Sequence, residues 1–371
     1  MPAAQLAVDD AVLVNDVPMQ GKGSYRSHAA LQHEAMLKTL PLLQRAAREA
    51  AASGDGLPSG SDQQFTIVEY GSAHGNNSIE PLEAMLPLTQ SDQVQLLLSD
   101  RPENDFNTLS ATVSAWADAL DPARFPSSVF LGLIPRSFYR PLVPPRSVNL
   151  GFSLCCLHHL DRLPAAAHDD EMKRLCRAQA HDDLCLFLRL RASEVVRGGS
   201  LVLTFVGRDA SGRDNYAGPV DACRKAMVQM IEDGVIPASV AAAFRIPTYD
   251  RSLDDVWGCL DELRGVWEAR EVQADAVLHP AIKDLARHTR HGEDNAASQQ
   301  YSDVVIDWLM AVCSGYFLKA VRVGGADDAY TEAGASQLLS EWARRTKRIF
   351  LKDHRDEPVF CSFIRMLLHR L

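Results

Sequence analysis

The chain has no dense lysine or arginine cluster, and 38 basic against 48 acidic residues leave a net charge of -10. A nucleic-acid groove must neutralise phosphates with clustered cations, so this composition argues against that class of partner. The eight cysteines form no CxxC and keep no regular spacing, with Cys155 and Cys156 the only adjacent pair. They read as reduced core thiols of an intracellular protein, not as a disulfide framework. No apolar run is both charge-free and long enough to span a bilayer, and MPAAQLAVDDAVLVND lacks the basic start and apolar centre of a secretion signal. The expectation is a cytoplasmic protein without membrane contact. There is no internal repeat and no GxGxxG, so nothing demands a dinucleotide. At 371 residues and 46% hydrophobic, the chain suffices for one large core and a second lobe.

Short apolar runs recur at 65–69, 94–98, 129–133, 148–154 and 200–206, separated by loops or helical patterns. That rhythm predicts a parallel, doubly wound α/β sheet with helices on both faces. Residues 29–52 have helical periodicity, broken by SGDGLPSGSD at 53–62. A long helix is expected over 167–196, stopped by Gly198 and Gly199. Residues 215–320 look mostly helical, with breaks at Pro237, Pro247 and a polar surface loop HTRHGEDNAASQQ, and suggest a cap over the sheet. A helix at 336–346 and a terminal strand pair, KRIFL and PVFCSFIRMLL, complete the expectation. The resulting division is an N-terminal segment and α/β core at 1–208, a cap at 209–330, and an element returning to the core at 331–371.

SDRPENDFN at 99–107 places Asp100 where a buried strand ends. In open α/β sheets ligands sit beyond the carboxyl ends of the strands, where an acid commonly takes ribose hydroxyls. Asp100 could instead cap the following helix. EYGSAHGNN at 69–77 sets Glu69 at an earlier strand end, with Gly71 and Gly75 allowing a tight turn and close backbone approach. An ordinary strand-to-helix turn would look the same when taken alone. In LIPRSFYRP, Ser137 and Phe138 could flank a flat ring such as adenine, or Phe138 could simply be buried. LCCLHHL at 154–160 offers two cysteines and two histidines, but adjacent side chains on an extended segment face opposite sides. No metal is expected there; the cysteines read as packing, with a catalytic thiol as the competing view.

MQGKGSYRSHAALQ, IVEYGSAHGNNS, SDRPENDFN, IPRSFYRPLVPPRSV and RASEVVRGGSLVLTFVGRD follow in this order along nearly the whole chain. Together they resemble the plant-type SABATH family of S-adenosylmethionine-dependent carboxyl methyltransferases, with NDFN and PRSFYRPLVPP the most specific stretches. The resemblance implies a Rossmann-like class I methyltransferase fold and a helical cap. It also implies S-adenosylmethionine as cofactor, S-adenosylhomocysteine as product, a small-molecule carboxylic acid as acceptor and a homodimer. By position, Tyr25 falls near the cofactor and substrate entrance, and Gln32 on the donor to the substrate carboxylate. Glu69, in place of the family's Asp, and Asn77 fall at the methionine part of the cofactor. Asp100 falls at the ribose, Arg101 beside adenine where Leu is usual, and Ser137 and Phe138 at the adenine ring. His158 falls on a pocket position often occupied by His.

The departures lie in the acceptor half. His159 replaces a Trp whose indole helps hold the carboxylate, Cys155 replaces a pocket Tyr, and His28 and Ala29 stand where the family has Asn-Ser. The loss of two large aromatic surfaces points to a small polar, aliphatic or dicarboxylic acid instead of a flat aromatic one. In-line methyl transfer to a carboxylate needs no general base, because a carboxylic acid of pKa about 4 is already ionised at neutral pH. Gln32 and His159 would orient the oxygen. The competing readings are N-methylation of a heterocycle, which would give a base-stable product, and a non-catalytic cofactor-binding descendant. A nicotinamide oxidoreductase is disfavoured by the missing phosphate-cradling turn.

Overall fold

Seven strands in the order β3-β2-β1-β4-β5-β7-β6 organise the protein, seen in a computed structural model that describes residues 30–53, 64–166, 168–289, 294–325 and 331–371. The strands are β1 (Phe65–Tyr70), β2 (Gln93–Asp100), β3 (Ser128–Pro135), β4 (Val148–Leu154), β5 (Val195–Val206), β6 (Trp267–Leu278) and β7 (Phe360–Arg370). β1 to β5 run parallel, and β7 inserts antiparallel between β5 and β6.

Strand side chains alternate between the two faces, and both faces are covered, as a parallel sheet requires. Ile67, Leu150, Phe152, Val202 and Leu367 face one layer with α1 (Ala30–Ala52), α2 (Ile79–Met85) and α3 (Phe106–Asp118). Val68, Tyr70, Leu201, Leu203, Met366 and Leu368 face the other, against α4 (Asp169–Glu194) and, further along the chain, Leu253–Glu262. A third cluster joins α5 (Ala217–Glu232), α6 (Ala238–Ala243), α8 (Ala281–Thr289), α9 (Asp294–Gly324) and α10 (Glu332–Asp353) around Trp308, Phe317, Trp342 and Phe350. Leu253–Glu262 is α7. By length and composition α9 is the one helix among the described residues that could cross a membrane, but 67% of its apolar window is buried inside the protein.

The five parallel strands match the sequence expectation, and four details differ. KRIFL is not a strand; it lies within α10, where Ile349 and Phe350 are buried at helical spacing. The partner of the terminal strand is β6, whose edge position leaves most of its residues only partly buried and so hides the strand in the sequence pattern. Every described residue of the polar run is helical, His288 and Thr289 at the end of α8 and Asp294 onward in α9, while 290–293 lie outside the described residues. Gly198 and Gly199 do not precede β5 but lie inside it, at the register shift between Val148 and Leu150 on the neighbouring strand. Gly198 has φ +82°, and a Cβ on Gly199 would lie 2.8 Å from the Asn149 carbonyl oxygen.

Phe152 is fully buried at the centre of β4, between β1 and β5. Phe152→Ala is expected to cost roughly 3–5 kcal/mol of unfolding free energy by urea titration.

Candidate active site

The strand order reverses between β1 and β4, and the loops after β1, β2, β3 and β4 meet at the carboxyl ends of the strands. This is the crevice where open α/β sheets hold ligands. Gly71 leaves β1 at φ +92°, and a Cβ there would lie 2.5 Å from Cys156 Sγ and 3.6 Å from Phe138 Cε1. Only glycine combines that backbone angle with so close an approach. The turn is pinned to β2, because the Gly71 and Ser72 N–H groups donate to the Ser99 carbonyl at 2.9 and 3.1 Å.

Asp100 is the second anchor. Its Oδ2 accepts from the Ala73 N–H at 2.6 Å and its Oδ1 from the Arg101 N–H at 2.7 Å. Asn104 closes the ring by donating to the Ala73 carbonyl at 2.6 Å. Asp105, not Asp100, caps α3, accepting from the Thr108 N–H at 3.0 Å and its hydroxyl at 2.7 Å. The NDFN motif thus knits the β1 and β2 loops together.

Glu69 ends β1 with only 4% of its surface exposed, and its Oε2 has no hydrogen-bond partner among the described residues. Burial is the main reason its carboxyl is pushed from 4.5 to about 8; the Ser78 hydroxyl opposes this and the nearby Asp100 charge adds to it. An unpartnered buried carboxylate oxygen at this crevice fits a cationic group such as the ammonium of a methionine moiety. Asn77 is half-buried in the turn before α2, and Arg101 is half-buried at the opening of the β2 loop.

The β3–β4 loop is held from beneath by two fully buried charges that the motif reading left without a role. Arg191 donates to the Phe138 carbonyl at 2.8 Å and the Arg140 carbonyl at 3.1 Å, and pairs with Glu194 at 2.8 Å. Glu194 in turn accepts from the Leu142 N–H at 2.7 Å. The guanidinium lies 4.4 Å from the Tyr70 ring centroid and 4.9 Å from that of Phe187. Phe138 packs edge-on to Tyr139 and Phe187, with one edge toward Gly71, and Ser137 Oγ accepts from the Tyr139 N–H at 3.3 Å. The i,i+3 spacing of Arg191 and Glu194 in RASE was the available signal.

The residues expected at the acceptor are held by two sets of contacts. Gln32 Oε1 accepts from Trp308 Nε1 at 2.9 Å, and the Trp308 ring lies 5.1 Å from Tyr216. The Tyr216 hydroxyl meets Cys361 Sγ at 2.7 Å. Cys155 packs against the same apolar cluster as Trp308 and Cys361, residues the sequence did not single out. His158 and His159 have other anchors: the Tyr139 hydroxyl donates to the His159 carbonyl at 2.8 Å, and the Tyr249 N–H donates to that of His158 at 2.9 Å. Buried Arg251 donates to the Leu157 carbonyl and, at 2.6 and 3.1 Å, to that of Ala180. The two imidazoles lie 4.5 Å apart. Burial, then His159 and Arg251, hold His158 well below the usual 6.5, so it is neutral at pH 7.

Neither adjacent thiol suits nucleophilic chemistry. Burial pushes Cys155 up to about 12 and Cys156 well above its usual range, while Cys156 donates to the Leu154 and Gly71 carbonyls at 3.1 and 3.3 Å. Tyr25, His28 and Ala29 lie outside the described residues.

Strand order, the Gly71 turn and the acidic strand ends define a class I S-adenosylmethionine-dependent methyltransferase. The chain belongs to the SAM dependent carboxyl methyltransferase family, whose model matches residues 15–311. It is 54% identical to "Methyltransferase LUC1" of Fusarium sp, across 98% of this chain and 99% of that one. It is 43% identical to "O-methyltransferase acrG" of Aspergillus aculeatus, across 97% and 98%. Among solved structures it is similar to "Loganic acid methyltransferase with SAH", at a TM-score of 0.70 and 16% identity over 96% of this chain and 98% of that one, which bears on fold alone.

Two outcomes test the site. Arg191→Met strands Glu194 as a buried unpaired charge, and is expected to cost about 3–5 kcal/mol in denaturant unfolding and to weaken S-adenosylhomocysteine binding; adding Glu194→Gln recovers part of the stability. For Glu69, a folded-state pKa of about 8 against an unfolded 4.5 means its stabilising contribution is complete below pH 4.5 and is lost as pH rises through 8. Ligand-free protein should therefore lose stability between pH 5 and pH 8 through this group, and Glu69→Gln should flatten that slope in denaturant titrations.

Proposed function

We propose that this methyltransferase makes the methyl ester of a small carboxylic acid, aliphatic or dicarboxylic, by in-line transfer without a general base. S-adenosylmethionine supplies an electrophilic methyl group when bound. Asp100 holds the ribose hydroxyls, Glu69 and Asn77 hold the methionine part, and Gly71, Arg101, Ser137 and Phe138 bound the adenosine. Tyr25 belongs to the entrance in the same proposal. Gln32 and His159 orient the acceptor carboxylate, while Cys155 and His158 complete its surroundings and exclude water.

The observation that carries this reading is the character of the residues expected at the acceptor. Gln32 is fixed through its oxygen by Trp308, which turns its amide nitrogen into the available donor. The Cys155 thiol is pushed up to about 12 and cannot serve as a base at neutral pH. Such surroundings suit an acceptor that arrives already ionised. A cytosolic homodimer belongs to the same proposal.

A panel of acids incubated with methyl-labelled cofactor tests it. The expected product is a base-labile ester, formed faster from aliphatic mono- and dicarboxylates than from benzoate or salicylate. His159→Ala should raise the acceptor KM about tenfold with S-adenosylhomocysteine affinity unchanged, whereas Asp100→Ala should weaken that affinity. Base-stable label would replace the ester reading with N-methylation, and no binding of S-adenosylhomocysteine in calorimetry would overturn it.

A further inference from the structure

On the side of the sheet that carries α4 and α7, away from the residues assigned to methyl transfer, two buried thiols meet a histidine and a carboxylate. His181 and Cys185 stand one turn apart on α4, and Cys259 and Glu262 stand one turn apart on α7. Cys259 Sγ lies 3.3 Å from His181 Nδ1, Cys185 Sγ 3.7 Å from His181 Nε2, and Glu262 Oε2 3.8 Å from Cys185 Sγ. One ligand atom from each of His181, Cys185 and Cys259 falls within 4.8 Å of the others. The sulfurs are 2% and 1% exposed, while His181 and Glu262 are 36% and 46% exposed, so the cluster opens to solvent through its nitrogen and oxygen donors.

We infer that His181, Cys185 and Cys259 form a zinc site that staples α4 to α7, with Glu262, whose Oε1 lies 2.7 Å from His181 Nε2, orienting the imidazole. Zinc takes thiolate, imidazole and carboxylate ligands at about 2.0–2.3 Å, and a tetrahedron of that size spaces its donors about 3.3–3.8 Å apart. Each sulfur lies within that range of one ring nitrogen of His181, Cys259 of Nδ1 and Cys185 of Nε2, and the metal takes one of the two. Charge also balances: two thiolates match the zinc charge, and Arg189 donates to Glu262 Oε2 at 2.9 Å. On binding, the two thiol protons leave to solvent, two Zn–S bonds form, and no redox change occurs.

The staple strengthens an interface that already holds the segment bearing His158 and His159. Arg177 pairs with Asp255 at 2.8 Å across the same two helices, and Ser252 and Asp255 cap α7 reciprocally. The residue before that cap is Arg251, which grips the Leu157 carbonyl below His158 and His159. Three donors come from two packed helices, and water takes the fourth position on the solvent side.

Reduced protein, stripped by a chelator, is equilibrated with zinc against a chromophoric competitor. The expected result is one tightly held zinc per chain and a higher Tm with zinc than without. Cys185→Ser combined with Cys259→Ser should weaken zinc binding about a hundredfold or more, and the half-exposed Glu262→Gln about tenfold with the zinc-free Tm unchanged. Cobalt in place of zinc should give a thiolate charge-transfer band in wild type and in Glu262→Gln, absent from the double serine variant. Uptake that is absent from wild type, or equal in the double serine variant, overturns the inference. So does a protein that takes no zinc but joins Cys185 to Cys259 when treated with hydrogen peroxide, with two electrons and two protons passing to the peroxide to give water.

Discussion

The buried Arg191–Glu194 pair is the constraint on which the cofactor half of the crevice depends. Removing two charges from water is costly, and here the cost is offset by hydrogen bonds from Arg191 to the Phe138 and Arg140 carbonyls and from the Leu142 N–H to Glu194. The β3–β4 loop has its polar backbone groups tied to the end of α4 instead of to solvent. Tyr70, the last residue of β1, lies against the same guanidinium. One ion pair thus fixes the loop bearing Ser137 and Phe138 relative to the strand bearing Glu69.

A second lock works from above. Asp100 binds the Ala73 N–H, Asn104 binds the Ala73 carbonyl, and the Ser99 carbonyl receives two N–H groups of the turn. The backbone after β1 is thereby held by β2, and Glu69 is buried with its Oε2 unpartnered among the described residues. Burial raises that carboxyl toward neutrality, and a cation placed beside it would return it to its charged form.

The residues proposed for the acceptor follow different physics. They are assembled across long separations: Gln32 on α1 meets Trp308 on α9, and Cys155 after β4 meets Thr204 on β5 and packs against the cluster that includes Cys361. The loops at the strand ends are held by contacts between neighbouring strands, whereas these residues depend on helices far along the chain.

The sequence by itself determined the five parallel strands, because runs buried on both faces are apolar throughout, and it placed Glu69, Gly71, Asp100 and NDFN at strand ends, where their local order is fixed. It did not disclose β6, whose edge position leaves a mixed pattern, and it made KRIFL resemble a strand because five residues cannot separate a buried strand from a buried helical turn. Nor could spacing show that Asp105 caps α3 while Asp100 holds a neighbouring loop. Tertiary structure alone decided which side chains meet. Trp308 lies 276 residues from Gln32, and Cys259 78 from His181. Local pattern records which residues face inward, and only the packing of distant elements decides what they meet there.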